Sequence, residues 1–384
     1  MKVLLITSKP PYPSIDGGCF ASARFIDSLL TIDCELDLFT ISTPKHPFEV
    51  SAFPAGLNVS QAFVNTDVSI VGAFKSLFSK ESYNVSRFDS PAAHETLKVL
   101  FKKDYTHVIF DNLFSTPYLE TVRQNSNAKL YIRTHNVENS IWEQHFQHER
   151  NPFKRFLLKG FYKKLMRYEL DTLNSVNGIF SISKDDTILF EKQGVRTPIS
   201  HIPVGLETKD KDFTVLPNKF FHIGSMNWQP NVDAVNRLIS ILPEIIENNP
   251  DAKLHIAGSE TDKLNTSSAS ISKDGFIEDV HDYAINKGVM VSPITSGSGV
   301  KIKVLEMLSY GVPVITTTKG SEGLESTSMI KIADSDEELV EAITVALKDK
   351  DGITRLGKKG REYIKSHHDI KMIGEQINKT LNEA

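Results

Sequence analysis

The sequence predicts an α/β protein built from two doubly wound, Rossmann-like domains, and three observations carry that prediction. Short apolar runs of strand length alternate with stretches of helical period. Those runs are continuous rather than alternating, which suits parallel strands covered on both faces. The alternation stops near Leu206 and then resumes, in a chain of 384 residues, longer than one core usually serves. The expected boundaries are 1–205 for the first domain and 206–365 for the second, with a last helix over 366–384 packing back on the first.

Taken in order, the first-half strands are expected at KVLLIT, CELDLFTI, THVIFD, AKLYIRTH and GIFSIS. Helices such as CFASARFIDSLL and SPAAHETLKVLFKK fall between them, giving right-handed βαβ units. The polar, aperiodic LETKDKDFTVLPNK reads as a linker. The second half repeats the plan with FFHIGSM, AKLHIAG, GVMVSPI, PVITTT and MIKIAD, and IKMIGEQINKTLNEA closes the chain as a helix. Ligands of such sheets sit outside the carboxyl ends of the strands.

Composition narrows the function. A net charge of -4 argues against a general nucleic-acid binder. The two cysteines, Cys19 and Cys34, suit a reducing cytosol and have no zinc spacing. The opening MKVLLITSKPPYP reads as a buried strand rather than a signal peptide, and no apolar run reaches spanning length. SKPPYPSIDGG after the first strand lacks the Gly-x-Gly-x-x-Gly of dinucleotide-binding dehydrogenases.

The chemistry concentrates in SGSGVKIKVLEML, Ser296 to Leu308. Strand, glycine loop, helix is a geometry that turns free N–H groups on an anion. Ser298 is a candidate cap, Gly297 and Gly299 permit close approach, and Lys301 and Lys303 oppose the helix dipole unless an anion sits there. Glu306 suits vicinal hydroxyls such as those of a ribose. The competing reading is a plain glycine turn followed by a surface Lys303–Glu306 ion pair. No Asp-x-Asp pair adjoins this glycine segment to hold a metal beside a diphosphate, so no metal is expected there.

GSGVKIKVLEMLSYGVPVITT resembles the donor-binding segment of glycosyltransferase family 4, retaining enzymes of the GT-B fold, whose two Rossmann-like domains face a central cleft. PPYPSIDGGCFASAR, RTHNVENSIWE, FHIGSMNWQPNVDAV, GFIEDVHDYAINKGVMVSPI and TTTKGSEGL resemble other family segments in the same order, so the resemblance covers nearly the whole chain. It implies transfer of a sugar from a nucleotide-diphosphate donor to a glycan or lipid-linked acceptor, with donor on the second domain and acceptor on the first. It implies that Glu306 holds the donor ribose and that Lys301 and Lys303 face the diphosphate with the N–H groups of Gly299 and Val300, with Ser298 also in the donor site. His135 would contact donor sugar and phosphate, and Gly17 and Gly18 would close over the diphosphate. Gly224 and Glu322 would line the donor site, with Phe276 and Ile277 bracketing the base. Where the family carries the first glutamate of a pair, eight residues before Glu306, this chain has Ser298. That departure keeps a non-catalytic nucleotide- or glycan-binding partner protein in view, beside a GT-B sugar-nucleotide epimerase.

Other residues read two ways. His135 either serves the donor or bonds Asn136. Asp16-Gly17-Gly18 is either an ordinary turn or a phosphate loop, Asp111 suits helix capping, and Glu322 is either a donor residue or a loop carboxylate. Six basic residues between Lys154 and Arg167, interleaved with Phe, Leu, Tyr and Met, make either a solvated helix face or a contact with an anionic membrane surface. AFKSLFSKESYNVSRF, residues 73–88, adds to that charge. The location expected is cytoplasmic, with a peripheral place on the inner face of the membrane under the second reading.

Overall fold

The computed structural model describes residues 1–67, 82–208, 213, 216, 218–266, 268–297 and 299–383. The chain forms two compact units, Met1–Gly205 with Ile370–Ala384, and Leu206–Asp369. The chain returns to the first unit at Ile370 rather than at 366, because the helix Lys350–His367 belongs to the second.

The first unit holds a parallel sheet of β1 (Lys2–Thr7), β2 (Glu35–Ser42), β3 (Asn58–Phe63), β4 (His107–Asp111), β5 (Lys129–Thr134), β6 (Gly178–Ser181) and β7 (Ile199–His201). Their order is β3-β2-β1-β4-β5-β6-β7, so the winding reverses between β1 and β4, where Thr7 stands beside Asp111. Alternate residues of β1 enter opposite layers. Leu4 and Ile6 pack with Phe39, Phe110 and Ile132, while Val3 and Leu5 pack with Phe25 and Ile26. Burial on both faces is why these strands read as unbroken apolar runs.

The terminal helix Ile370–Glu383 lies in that second layer through Ile373, Ile377 and Leu381. Gly374 lets it approach the helix Gly17–Leu29, since a Cβ there would stand 2.6 Å from the Ser28 carbonyl oxygen.

The second unit's sheet is β8 (Lys219–Ile223), β9 (Lys253–Ala257), β10 (Ile271–Gly275), β11 (Val289–Ser292), β12 (Val314–Thr316) and β13 (Lys331–Ile332). The order β10-β9-β8-β11-β12-β13 reverses between β8 and β11. Its core joins Phe220, Leu254, Val291 and Ile315 to Leu238, Leu242 and Ile343 of the flanking helices. Strands β3, β7 and β10 were not among those expected. All three lie toward the sheet margins and are at least partly exposed along most of their length, so they lack the apolar run that marks the inner strands.

Candidate functional site

Most of the candidate residues stand at or just beyond the carboxyl ends of strands. That is where open α/β sheets bind ligands.

In the second unit the glycine segment follows β11. The helix there spans Ile302–Ser309 and takes Lys301 as its N-cap residue. It starts later than the cap expected at Ser298, a residue that lies outside the described ones. Gly297 and Gly299 have φ of 91° and 75°, a region that favours glycine. A Cβ on Gly297 would stand 2.9 Å from the Trp228 ring. Val300 packs against the next loop, where a Cβ on Gly323 would lie 2.5 Å from its Cγ2.

The two lysines do different things. Lys301 is 5% exposed; its Nζ donates to the Gly299 carbonyl at 2.7 Å and stands 3.4 Å from Glu322 Oε2. The other oxygen of Glu322 accepts from Lys319 at 2.7 Å. Lys303 turns inward instead. Its Nζ donates to Asn231 Oδ1 at 2.7 Å and to the Ile223 carbonyl at 3.0 Å, and lies 3.3 Å from His222 Nε2. The surface ion pair with Glu306 is therefore not formed, and Lys303 is directed into the unit rather than toward an anion at the helix tip. Burial pushes this ammonium down to about 7, and the charge of Lys301 adds to the effect.

His222 is fully buried, and Nδ1 donates to the Val291 carbonyl at 2.9 Å, which leaves the Nε2 lone pair toward Lys303. Burial, then the Lys303 charge, brings His222 down to about 3. Glu306 lies on the partly open side of its helix, where Tyr310 donates to its Oε1 at 2.9 Å.

Gly224, directly after β8, is closely covered. A Cβ would stand 2.4 Å from Asn231 Nδ2, and one on Gly258 would stand 2.0 Å from the Gly224 carbonyl oxygen. Backbone alone fits where β8 and β9 end. Phe276 is 66% exposed and stands with Ser259, Glu260 and Lys273 around a recess of about 550 Å³; Ile277 beside it is half-buried.

In the first unit Asp111 does not cap a helix. The side chain of Asn112 does, accepting from the Phe114 N–H at 2.9 Å. Asp111 is fully buried, and its Oδ1 lies 2.8 Å from both Arg133 Nη1 and His135 Nε2, while Ser22 donates to Oδ2. Burial alone would raise this carboxyl, yet His135 and Arg133 hold it well below the usual carboxylate range. Burial lowers His135 despite the pull of Asp111. Its ring thus bonds Asp111 rather than Asn136.

Gly17 and Gly18 form the first turn of the helix Gly17–Leu29 rather than a free loop, with Asp16 as cap accepting from the Cys19 N–H at 2.8 Å. Lys9 lies across Gly18 and donates to Asp16 at 2.7 Å, and His46 Nε2 is 3.0 Å from the other Asp16 oxygen. Asp16, Cys19 and His46 bring three ligand atoms within 4.8 Å of one another, but the Lys9 ammonium already neutralises the carboxylate there.

The helix Pro152–Leu173 buries Leu165 and Leu173 and leaves Phe153 and Phe156 more than two-thirds exposed, near Lys154 and Arg155. Among the described residues no helix is long and apolar enough to cross a membrane. Residues 73–81 of the second basic stretch lie outside the described ones.

Sequence reasoning missed Lys9, His222, Asn231, Gly258 and Lys319. The signal for four of them was position: Lys9, His222, Gly258 and Lys319 lie at or just beyond strand carboxyl ends. Asn231 is in the first turn of the helix that follows β8.

Residues 217–349 match the family described as Glycosyl transferases group 1. Over 98% of this chain and 99% of its own length, an uncharacterized 44.6 kDa protein in the cps region of Klebsiella pneumoniae is 23% identical. Sucrose-phosphate synthase from Thermosynechococcus elongatus superposes with a TM-score of 0.71 at 14% identity, over 100% of this chain and 99% of that one. A TarM mutant of S. aureus, solved with fondaparinux, alpha-GlcNAc-glycerol and UDP, gives 0.70 at 12% identity over 100% of both chains. The chain thus has the GT-B fold, and its segment 217–349 matches the family described as Glycosyl transferases group 1.

Proposed function

We propose that this protein is a retaining hexosyltransferase that moves a sugar from a nucleoside-diphosphate donor to a glycan or lipid-linked acceptor in cell-surface polysaccharide assembly. One observation carries the reading: within the family-matched segment, the glycine loop, Lys301 and Glu306 follow one another directly after β11, a strand beside the reversal of the sheet. The cps-region relative supports the polysaccharide context, and the UDP in the TarM structure supports a nucleotide donor.

In this reading Glu306, oriented by Tyr310, accepts from the ribose hydroxyls. The exposed ring of Phe276 takes the base. Lys301 and the N–H groups beside it face the diphosphate. As the bond from anomeric carbon to phosphate oxygen breaks and the bond to the acceptor oxygen forms, charge develops on the leaving diphosphate. A preorganised ammonium stabilises that charge, and the acceptor's proton leaves with the nucleoside diphosphate. No metal is assigned to this step. His135 keeps the role the resemblance implies, contact with the donor sugar. Lys303 is assigned no contact with phosphate.

The helix Pro152–Leu173 is proposed to rest on an anionic membrane surface, through Phe153, Phe156 and the basic residues around them. That would place the enzyme beside a lipid-linked acceptor on the cytoplasmic side.

The test is a panel of nucleotide sugars offered with lipid-linked glycan acceptors. Acceptor-dependent release of one nucleoside diphosphate supports the reading. Binding of a nucleotide without turnover on any acceptor would favour a non-catalytic partner.

A further inference from the structure

Glu322 stands where an anionic ligand of Lys301 would have to compete. One carboxylate oxygen accepts from Lys319 at 2.7 Å and the other lies 3.4 Å from Lys301 Nζ, so a single anion bridges two ammoniums. The arrangement is held from both sides. The Lys301 side chain is 4% exposed and tied to the Gly299 carbonyl. The loop carrying Glu322 packs on Val300 through Gly323, whose φ is 89°. Glu322 and Lys319 are about one-third exposed, at 35% and 31%, so an incoming solute reaches them directly.

We propose that Glu322 is a resident anion that keeps Lys301 and Lys319 in the arrangement a diphosphate takes over. Lys319 is then a second phosphate-binding lysine, and Glu322 opposes donor binding rather than contributing to it. The inference rests on the donor reading of this face and deepens it. Two ammoniums share one carboxylate here, and a diphosphate brings several negative charges to the same place. It must displace Glu322 from the lysines or bind against its charge. A resident carboxylate also limits capture of stray phosphate, because only a ligand with further contacts repays its displacement.

The experiment is calorimetric titration of UDP, GDP, ADP and TDP, with inorganic pyrophosphate as a base-free probe. The proteins are the full chain and its Glu322→Gln, Lys319→Ala and Lys301→Ala variants. Glu322→Gln keeps the side-chain shape, and thermal melting of each variant checks its folding. For whichever nucleotide the wild type takes, Glu322→Gln is expected to bind about threefold tighter or better, the scale of a partly exposed charge pair. Lys319→Ala is expected to bind weaker by a similar factor, and both differences shrink at high salt. Pyrophosphate binding that rises in Glu322→Gln shows that the gain acts on phosphate rather than on the base. If Glu322→Gln binds equally or more weakly while Lys301→Ala loses binding, the resident-anion idea is overturned and the donor reading stands. If the wild type binds none of the nucleotides, the donor reading fails and takes this inference with it.

Discussion

Lys303 Nζ donates a 2.7 Å hydrogen bond to Asn231 Oδ1, and this contact ties the helix after β11 to the helix after β8. Asn231 completes the link by donating to the Ser225 carbonyl at 2.9 Å, which fixes the turn that carries Gly224. Asn231→Ala removes one acceptor of a half-buried ammonium and the side-chain donor that holds that turn. The expected loss is about 1–3 kcal/mol of stability, read as a lower urea midpoint. An unchanged midpoint would show that the link is incidental.

The pH dependence of the second unit should carry the mark of His222. Folded His222 is held down to about 3, whereas an unfolded histidine takes its proton near pH ~6.5. Between those values the unfolded chain binds more protons, so stability from this group is complete above pH ~6.5 and falls as pH drops through the window. Burial also lowers His107, His135 and His255, so the informative quantity is a difference between proteins. Urea titrations from pH 7 to pH ~4 should fall less steeply in His222→Gln than in the wild type. Parallel curves would rule out this assignment.

Much of the fold was legible because β1, β4, β5, β8, β9 and β11 are buried along most or all of their length and so are written as apolar runs. The edge strand β3 was not, since only Ala62 of its six residues is buried. At the site, the glycines, Lys301 and Glu306 announce themselves by type and spacing. The direction of Lys303 does not: two residues after Lys301 it points elsewhere, because its acceptors Asn231 and Ile223 are distant in sequence. Asp111 was likewise misread as a cap, since its partners Arg133 and His135 arrive from β5 and the residue just after it.

The Asp111–Arg133 pair should be the most sensitive polar contact of the first unit. Arg133 is 1% exposed and Asp111 is fully buried. Asp111→Asn preserves the shape and leaves a buried guanidinium without its counter-charge, which costs about 3–5 kcal/mol. Thermal unfolding should show a clear drop. Arg133→Met with Asp111→Asn, which removes both charges, should recover part of the loss. A drop as large in the double variant would place the cost in packing rather than in charge.

The helix Pro152–Leu173 offers a direct test of membrane contact. Phe153→Ser with Phe156→Ser removes two side chains that are 70% and 74% exposed, so folding is spared. Co-sedimentation with phosphatidylglycerol vesicles should fall several-fold in this variant, and wild-type binding should weaken with salt. Equal binding to neutral phosphatidylcholine vesicles would contradict an electrostatic docking surface.

The central claim is that the helix beginning at Lys301 and bearing Glu306 holds the nucleoside diphosphate of the donor. The most direct measurement is calorimetric binding of UDP, GDP, ADP and TDP to the wild type and to Glu306→Ala and Lys301→Ala. The account predicts that one diphosphate binds and that each substitution weakens it at least tenfold, about 1.4 kcal/mol. Wild-type affinity in both variants, or no binding of any nucleotide to the wild type, would contradict it.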